Sequence, residues 1–338
     1  MHSQLLTAPK IVKPGQSIQN AIDNARPGDE ITVEAGTYAE QLSITKSNII
    51  LIGKEAILIP PKTFTRNLCS GLNKGFAGVE TEAGICIHGK DVKLAEFVGE
   101  HRKVLSVGEY IENVIVTGFE VRGFSGENIA VAGGKNVKIT KNKLVDGAQY
   151  GFLTVGSKNT LAESNTFEST TAAVLFIALC MDDQSDAKFK GNNISGYYIA
   201  LCTQTPGGVV KKNKVKNCCI GPFVDPGIKG AKIIANTITN RNPACPSGKD
   251  SAGAGIIIFG ASNTIVDENT IENINNNGTG VGIFINDDLV TGAKASGNVV
   301  KRNSLKFNDF DIFNNATTTD NVFVTNKCTM SAPGDYCD

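Results

Sequence analysis

The chain has 338 residues, 41% of them hydrophobic, which is enough to bury a large core. Lysine plus arginine equals aspartate plus glutamate at 33 each, so no net field favours nucleic acid or a membrane surface. No stretch is long enough to span a bilayer, and residues 1–10 hold no basic segment followed by an apolar run.

Residues 17–25 read as a short amphipathic helix. Ser17 is placed to cap it, and Ile18, Ala21, Ile22 and Ala25 share one face. Its expected job is to cover the open N-terminal end of a stack of coils. After the turn Arg26-Pro27-Gly28-Asp29 come two strand patterns, 31–38 and 49–53. Two stretches, 60–84 and 90–112, then interrupt the pattern around a strand at 85–88, and such insertions often belong to a binding face. His88 and His101 fall in this region and, with His2, complete the histidines; a lone loop histidine reads as solvated or packed.

From residue 113 onward one frame recurs: a turn residue, alternating apolar positions, an Asn six residues on and an apolar residue two further. Frames start at Asn113, Asn136, Asn159, Asp186, Gly207, Gly230, Asn263, Gly297 and Asp320. The sixth position holds Asn142, Asn165, Asn192, Asn213, Asn236, Asn269, Asn303 and Asn326, with Phe119 as the exception. A unit of about 22 residues repeats, with apolar spacing of two and Gly, Asn and Asp punctuation, which implies three short strands per coil of a solenoid. The aligned Asn side chains are expected to stack into a ladder inside a turn.

This pattern resembles the right-handed parallel β-helix, or pectate-lyase-like, superfamily. The resemblance implies an all-β right-handed parallel β-helix with an N-terminal capping helix, in a single domain spanning 1–338. Residues 10–30 would be the cap and 31–328 the coils, with insertions at 60–84, 90–112, 240–254 and 273–295 and a tail at 329–338. A fold that hosts many reactions does not name one.

Each regular coil also has a strand before its frame: 129–132, 152–155, 174–180, 198–202, 220–224, 256–259, 281–285 and 311–313. Runs such as 174–179 and 256–259 are apolar on both faces, so that sheet is covered on both. Its outer face is either roofed by the insertions or forms an apolar groove. The strands after the turns carry Lys138, Lys141, Lys143, Lys188, Lys190, Lys211, Lys212, Lys214 and Lys232, which reads as a solvated surface charged against edge pairing. Carboxylates gather at the ends of the apolar sheet: Asp182, Asp183, Asp225, Asp287 and Asp288. At about 4.8 Å per coil, Asp182 and Asp225 would stand roughly 10 Å apart, close to the acid–base separation of inverting glycosidases. These five are the candidate catalytic residues, against the alternative that they are ordinary turn aspartates. Phe176, Tyr198, Gln204, Phe223, Phe259, Phe284 and Asn286 are the candidate substrate-binding residues on the same face.

Nine cysteines and three sequons, at Asn193, Asn277 and Asn315, point to a secreted glycoprotein, with a cytoplasmic location as the alternative. Cys328 with Cys337 and Cys69 with Cys86 are expected pairs, while Cys180 and Cys202 would meet on adjacent coils as a disulfide or as two buried thiols. The active-site signatures of pectinesterases, polygalacturonase-like hydrolases and pectate lyases are missing, and Trp is absent. No metal cluster and no cofactor motif are found, so none is expected. Three functions fit: a carbohydrate-active hydrolase or lyase, an enzyme or binder for a small apolar molecule of cyclase or isomerase type, and a non-catalytic structural or adhesive solenoid. The expected partner is an oligosaccharide or small molecule, with neither nucleic acid nor membrane; the oligomeric state is open.

Overall fold

The computed structural model describes residues 10–75, 78–246 and 253–338. The reading of residues 1–9 and the part of the 240–254 insertion at 247–252 lie outside the described residues. Three long sheets, each parallel throughout, run the length of the stack as a right-handed β-helix. The first has 12 strands from Lys10–Val12 to Val322–Val324, and the second has 10 from Gly36–Ala39 to Ser304–Lys306. The third has 11 strands, from Leu42–Ile44 to Ser331–Ala332. One coil visits them in turn: Lys138–Thr140, Lys143–Val145, then Tyr150–Val155, before the chain returns at Leu161–Glu163 beside its starting strand.

The frame residues explain the corners. Asn113, Asn136, Asn159, Asp186, Asn263, Gly207, Gly230 and Gly297 all have φ between 52° and 73°, the left-handed region that Gly, Asn and Asp tolerate. The ladder forms at the next corner. Asn142 Nδ2 donates to Asn165 Oδ1 at 3.2 Å, and the same bond repeats through Asn192, Asn213, Asn236, Asn269, Asn303 and Asn326. At the frame with no Asn, the backbone N–H of Phe119 donates to Asn142 Oδ1 and closes the ladder. The residue before each ladder Asn is also left-handed, although it is often an ordinary one: Lys141, Ser164, Lys212, Ala235, Glu268, Arg302 and Thr325 have φ of 51° to 58°. The buried amide bonds hold this corner against the local strain.

The helix Ile18–Asp23 covers the N-terminal end, with Ile18 and Ile22 buried and Ser17 Oγ accepting from the Asn20 N–H at 3.1 Å. The core fills the interior with Val116, Ile139, Phe152, Phe189, Val210, Ile233, Ile256 and Ile283 among others. A second buried apolar cluster lies outside the third sheet, and it organises the candidate site.

Candidate functional site

The outer face of the third sheet is divided. Over its N-terminal half the described parts of the 60–84 and 90–112 insertions form a roof, with Leu72, Leu94 and Val104 packed on Ala130, Ala132, Leu153 and Val155. A disulfide from Cys69 to Cys86 ties the roof to the strand Ile85–His88, and an antiparallel hairpin of Lys93–Leu94 with Val104–Ser106 stiffens it. Past the roof the face opens over half-buried Tyr198, Phe223, Phe259 and Phe284. The roofed alternative therefore holds over part of this sheet, and the rest is a half-buried aromatic surface. A second disulfide, Cys219–Cys245, pins the following loop at one flank, and Cys328–Cys337 closes the tail.

The roof margin meets the open face at the ends of three adjacent strands, Leu175–Asp182, Tyr197–Thr203 and Ile220–Val224. Met181 pairs with Thr203 and Thr203 with Val224, so one residue further on Asp182, Gln204 and Asp225 come into line. Asp182 and Asp225 are thus two coils apart, roughly 10 Å along the axis, with Gln204 between them. The roof supplies the other members. Lys103 Nζ lies 2.9 Å from Asp182 Oδ2 and donates to Gln204 Oε1 at 2.7 Å. Gln204 Nε2 donates to Glu100 Oε2 at 2.7 Å. His101, buried, lies 3.2 Å from Asp182 Oδ2 through Nε2 and 3.2 Å from the Tyr150 hydroxyl through Nδ1. A ring carrying its proton on Nε2 satisfies both contacts.

The two carboxylates sit in opposite environments. Burial pushes Asp182 up, but the His101 hydrogen bond and the Lys103 charge outweigh it and hold the group below the ordinary carboxylate value. Burial, helped by the negative charge of Glu100, pushes Asp225 up to about 7 against the bond from Cys202. Cys202 Sγ donates to Asp225 Oδ2 at 3.3 Å.

The remaining aspartates are engaged in holding the chain. Asp183 is buried and accepts from Thr154 Oγ1 at 2.8 Å and the Ser157 N–H at 3.3 Å; burial, against its Thr160 and Thr154 bonds, raises it to about 6. Asp287 accepts from Thr317 Oγ1 at 2.6 Å, the Ala295 N–H at 2.9 Å and Lys294 Nζ at 3.0 Å. Despite burial, those bonds lower it to about 2. Asp288 accepts from the Val290 and Thr291 N–H groups, each at 3.1 Å, and tightens the same loop. Of the five candidate acids, the register brings Asp182 and Asp225 into line at the roof margin, while Asp183, Asp287 and Asp288 are taken up by the bonds just given.

Phe223 and Phe259 pack at 6.1 Å between centroids, and Phe284 stacks on Phe313 at 5.9 Å. Phe223, Ile257, Phe284 and Phe313 follow one register row, and Phe259, Asn286 and Asn315 another. Asn286 Oδ1 accepts from Asn315 Nδ2 at 2.8 Å. Phe176 packs edge-on against Tyr150 at 5.9 Å and, with Lys74, Glu100 and Gln149, lines a pocket at the roof margin. The sequence placed Glu100, His101 and Lys103 only within an insertion, with His101 read as solvated or packed, and did not single out Tyr150 or Phe313. The first three reach Asp182 or Gln204 across 81 to 104 residues of chain, and nothing in the repeat frame signals where an insertion folds back. Other depressions lie on the second sheet, one lined by Glu55, Glu120, Lys143 and Thr166, away from the paired aspartates.

Similarity to known proteins fits this geometry at the level of fold. The chain is similar to the mannuronan C-5 epimerase A-module of Azotobacter vinelandii, at 13% identity and TM-score 0.59, over 93% of this chain and 86% of that one. It is similar to a family 28 exopolygalacturonase of Yersinia enterocolitica, at 15% identity and TM-score 0.57, over 95% and 76%. It is likewise similar to the Dettilon tailspike protein, at 15% identity and TM-score 0.57, over 95% and 68%. No curated protein sequence matches the chain. A right handed beta helix region is matched over residues 177–335. The family described as periplasmic copper-binding protein (NosD) matches residues 22–250, more than half of the chain, so this protein, a right-handed parallel β-helix, belongs to that family.

Proposed function

We propose that this protein is a carbohydrate-active enzyme that hydrolyses a glycosidic bond with inversion, in the groove on the outer face of the third sheet. The observation that carries the reading is the pairing of Asp182 and Asp225 two coils apart in opposite environments. Asp225, held protonated up to about pH 7, donates its proton to the leaving oxygen. Asp182, held ionised by His101 and Lys103, takes a proton from the attacking water. A separation of roughly 10 Å leaves room for that water and stands at the upper edge of the inverting range. The half-buried Tyr198, Phe223, Phe259, Phe284 and Phe313 offer the sugar faces that an absent Trp would otherwise provide. Two of the structural neighbours, an epimerase of mannuronan and an exopolygalacturonase, agree with a carbohydrate substrate.

The same aromatic floor supports a second reading, an enzyme or binder for a small apolar molecule, which depends on shape and desolvation rather than on the aspartates. Three disulfides support folding in an oxidising compartment, periplasmic or extracellular. The family description includes copper binding, and copper draws on Cys, Met and His donors. Among the described residues no three His, Cys, Asp or Glu side chains converge as a three- or four-coordinate copper site would require. Both nitrogens of His101 are already engaged. The residues present therefore do not fit a resident copper of three or more such ligands, and no step runs through one.

The test is turnover of a panel of neutral and acidic oligosaccharides by the wild type and by Asp182→Asn, Asp225→Asn, Phe223→Ala and Phe259→Ala, with product anomers read by NMR. Loss of about 10²-fold or more in both Asn variants, at unchanged melting temperature and with an inverted product, is expected. Undiminished turnover in either Asn variant overturns the hydrolase reading, and loss confined to the Phe variants favours the apolar ligand.

A further inference from the structure

Directly beneath the aspartate pair the floor carries two cysteines that the proposed chemistry does not use. Cys180 and Cys202 are register partners on adjacent parallel strands, Leu175–Asp182 and Tyr197–Thr203. A one-coil offset of about 4.8 Å falls inside the Cα separations that a disulfide spans. Their Sγ atoms stand 2.6 Å apart, and both side chains are buried in the outer apolar cluster. Cys202 is also the donor to Asp225, at 3.3 Å. The pair thus links the covalent state of the floor to a hydrogen bond on one member of the proposed acid–base couple.

We propose that Cys180 and Cys202 are the two halves of a closable cross-link between adjacent coils, and that closing it withdraws the thiol donor from Asp225. The first half of this stands on the register alone, and the second rests on the reading of Asp225 as the acid of the groove. The oxidant is a low-molecular-weight disulfide. One protein thiolate attacks it and releases the first small thiol, and the second protein thiolate attacks the mixed disulfide and releases the other. Two protein S–H groups are oxidised, one small disulfide is reduced, and the two protons leave on the two released thiols. Burial pushes the Cys180 thiol up to about 11 and Cys202 well above its ordinary value, which makes both sluggish nucleophiles in the finished fold. Exchange therefore belongs to the stage when the coils have stacked and the roof has not yet docked. Once closed, Cys202 has no proton to offer, and Asp225 keeps its own proton to higher pH because one of the bonds that opposed burial is gone, with the Gln204 bond and the Lys103 charge remaining.

Of nine cysteines, six form the disulfides already described, leaving Cys180, Cys202 and Cys218. Protein folded in the presence of oxidised glutathione, then denatured without reductant and alkylated, should accept one alkyl group, on Cys218, and yield a linked peptide pair containing Cys180 and Cys202. Three modified thiols overturn the cross-link. The coupling is read from the Asp225 carboxyl carbon resonance, assigned by its loss in Asp225→Asn. Its titration midpoint should lie lower in Cys180→Ser, which keeps the Cys202 donor and cannot close, than in the wild type. Cys180→Ala repeats the comparison without a buried hydroxyl. Equal midpoints in wild type and both variants refute the coupling. Failure to turn over any sugar, with the linked peptide and the midpoint difference present, removes the hydrolase reading and leaves the cross-link standing.

Discussion

Replacing Asn213 by alanine tests the ladder at its middle rung. The side chain is fully buried and makes four bonds. Its Oδ1 accepts from the Asn192 N–H at 3.0 Å and from Asn192 Nδ2 at 2.9 Å; its Nδ2 donates to Phe189 O and to Asn236 Oδ1, each at 3.0 Å. After truncation Asn192 Nδ2 keeps its bond to Ala162 O, and Asn236 Oδ1 keeps the Asn213 backbone N–H. The Asn192 N–H and the Phe189 carbonyl lose these partners in a place water does not reach. At about 1 to 3 kcal/mol for each of these two buried groups, the cost is about 2 to 6 kcal/mol. Lys212 beside it, at φ 57°, also loses part of what holds it in a left-handed corner. The measurement is a urea midpoint, with hydrogen exchange at the Asn192 amide as the local readout, because a solenoid need not unfold in one step. The neighbouring exposed Thr237→Ala, expected within about 0.5 kcal/mol, is the control. An unchanged midpoint together with unchanged protection at Asn192 would refute the ladder argument.

Three further outcomes are expected. The buried Glu127, pushed up to about 8 by burial, keeps a proton in the native state that the unfolded chain gives up above its ordinary value near 4.5. Stability should therefore fall as pH rises through that window and level off above about 8, whereas Glu127→Gln lacks the slope and gains up to about 4 to 5 kcal/mol over the wild type at high pH; parallel melting curves across about pH 4 to 9 would contradict this. In the proposed reaction, with Cys180 and Cys202 as thiols, turnover should decline as pH rises through about 7, where Asp225 loses its proton, and hold on the acid side down to below the ordinary carboxylate value, where Asp182 gains one; a rate that climbs from about pH 6 to 8 would reverse the assigned roles. Removing the roof tether with Cys69→Ser and Cys86→Ser together opens a loop of separation 17, costs about 3 kcal/mol, and should release His101 and Lys103 from Asp182, seen as faster amide exchange over residues 90–112; protection equal to wild type would mean that the roof docks without its tether.

Much of the architecture was legible because a solenoid writes its geometry into a period. Asn142, Asn165 and Asn213 share an offset, and stacking parallel coils turns a shared offset into a shared position in space, so the ladder and the third sheet follow directly. The register of Asp182, Gln204 and Asp225 was readable for the same reason. The cap was readable from Ser17 and the spacing of Ile18 and Ile22, which depend only on local helix geometry. Tertiary structure alone decided the rest. Which aspartate meets the roof depends on the side to which each strand end turns, so Asp183 bonds Thr154 in the interior while Asp182 meets His101 outside. Lys141, Ala235 and Thr325 have no intrinsic preference for a left-handed corner; they adopt it because the adjacent Asn is bonded to the preceding coil. The roof breaks the repeat, so no offset could place Glu100, His101 and Lys103 against coils 81 to 104 residues away; buried apolar contacts and the Cys69–Cys86 link fix that placement, and they exist only once the chain has closed over its own sheet.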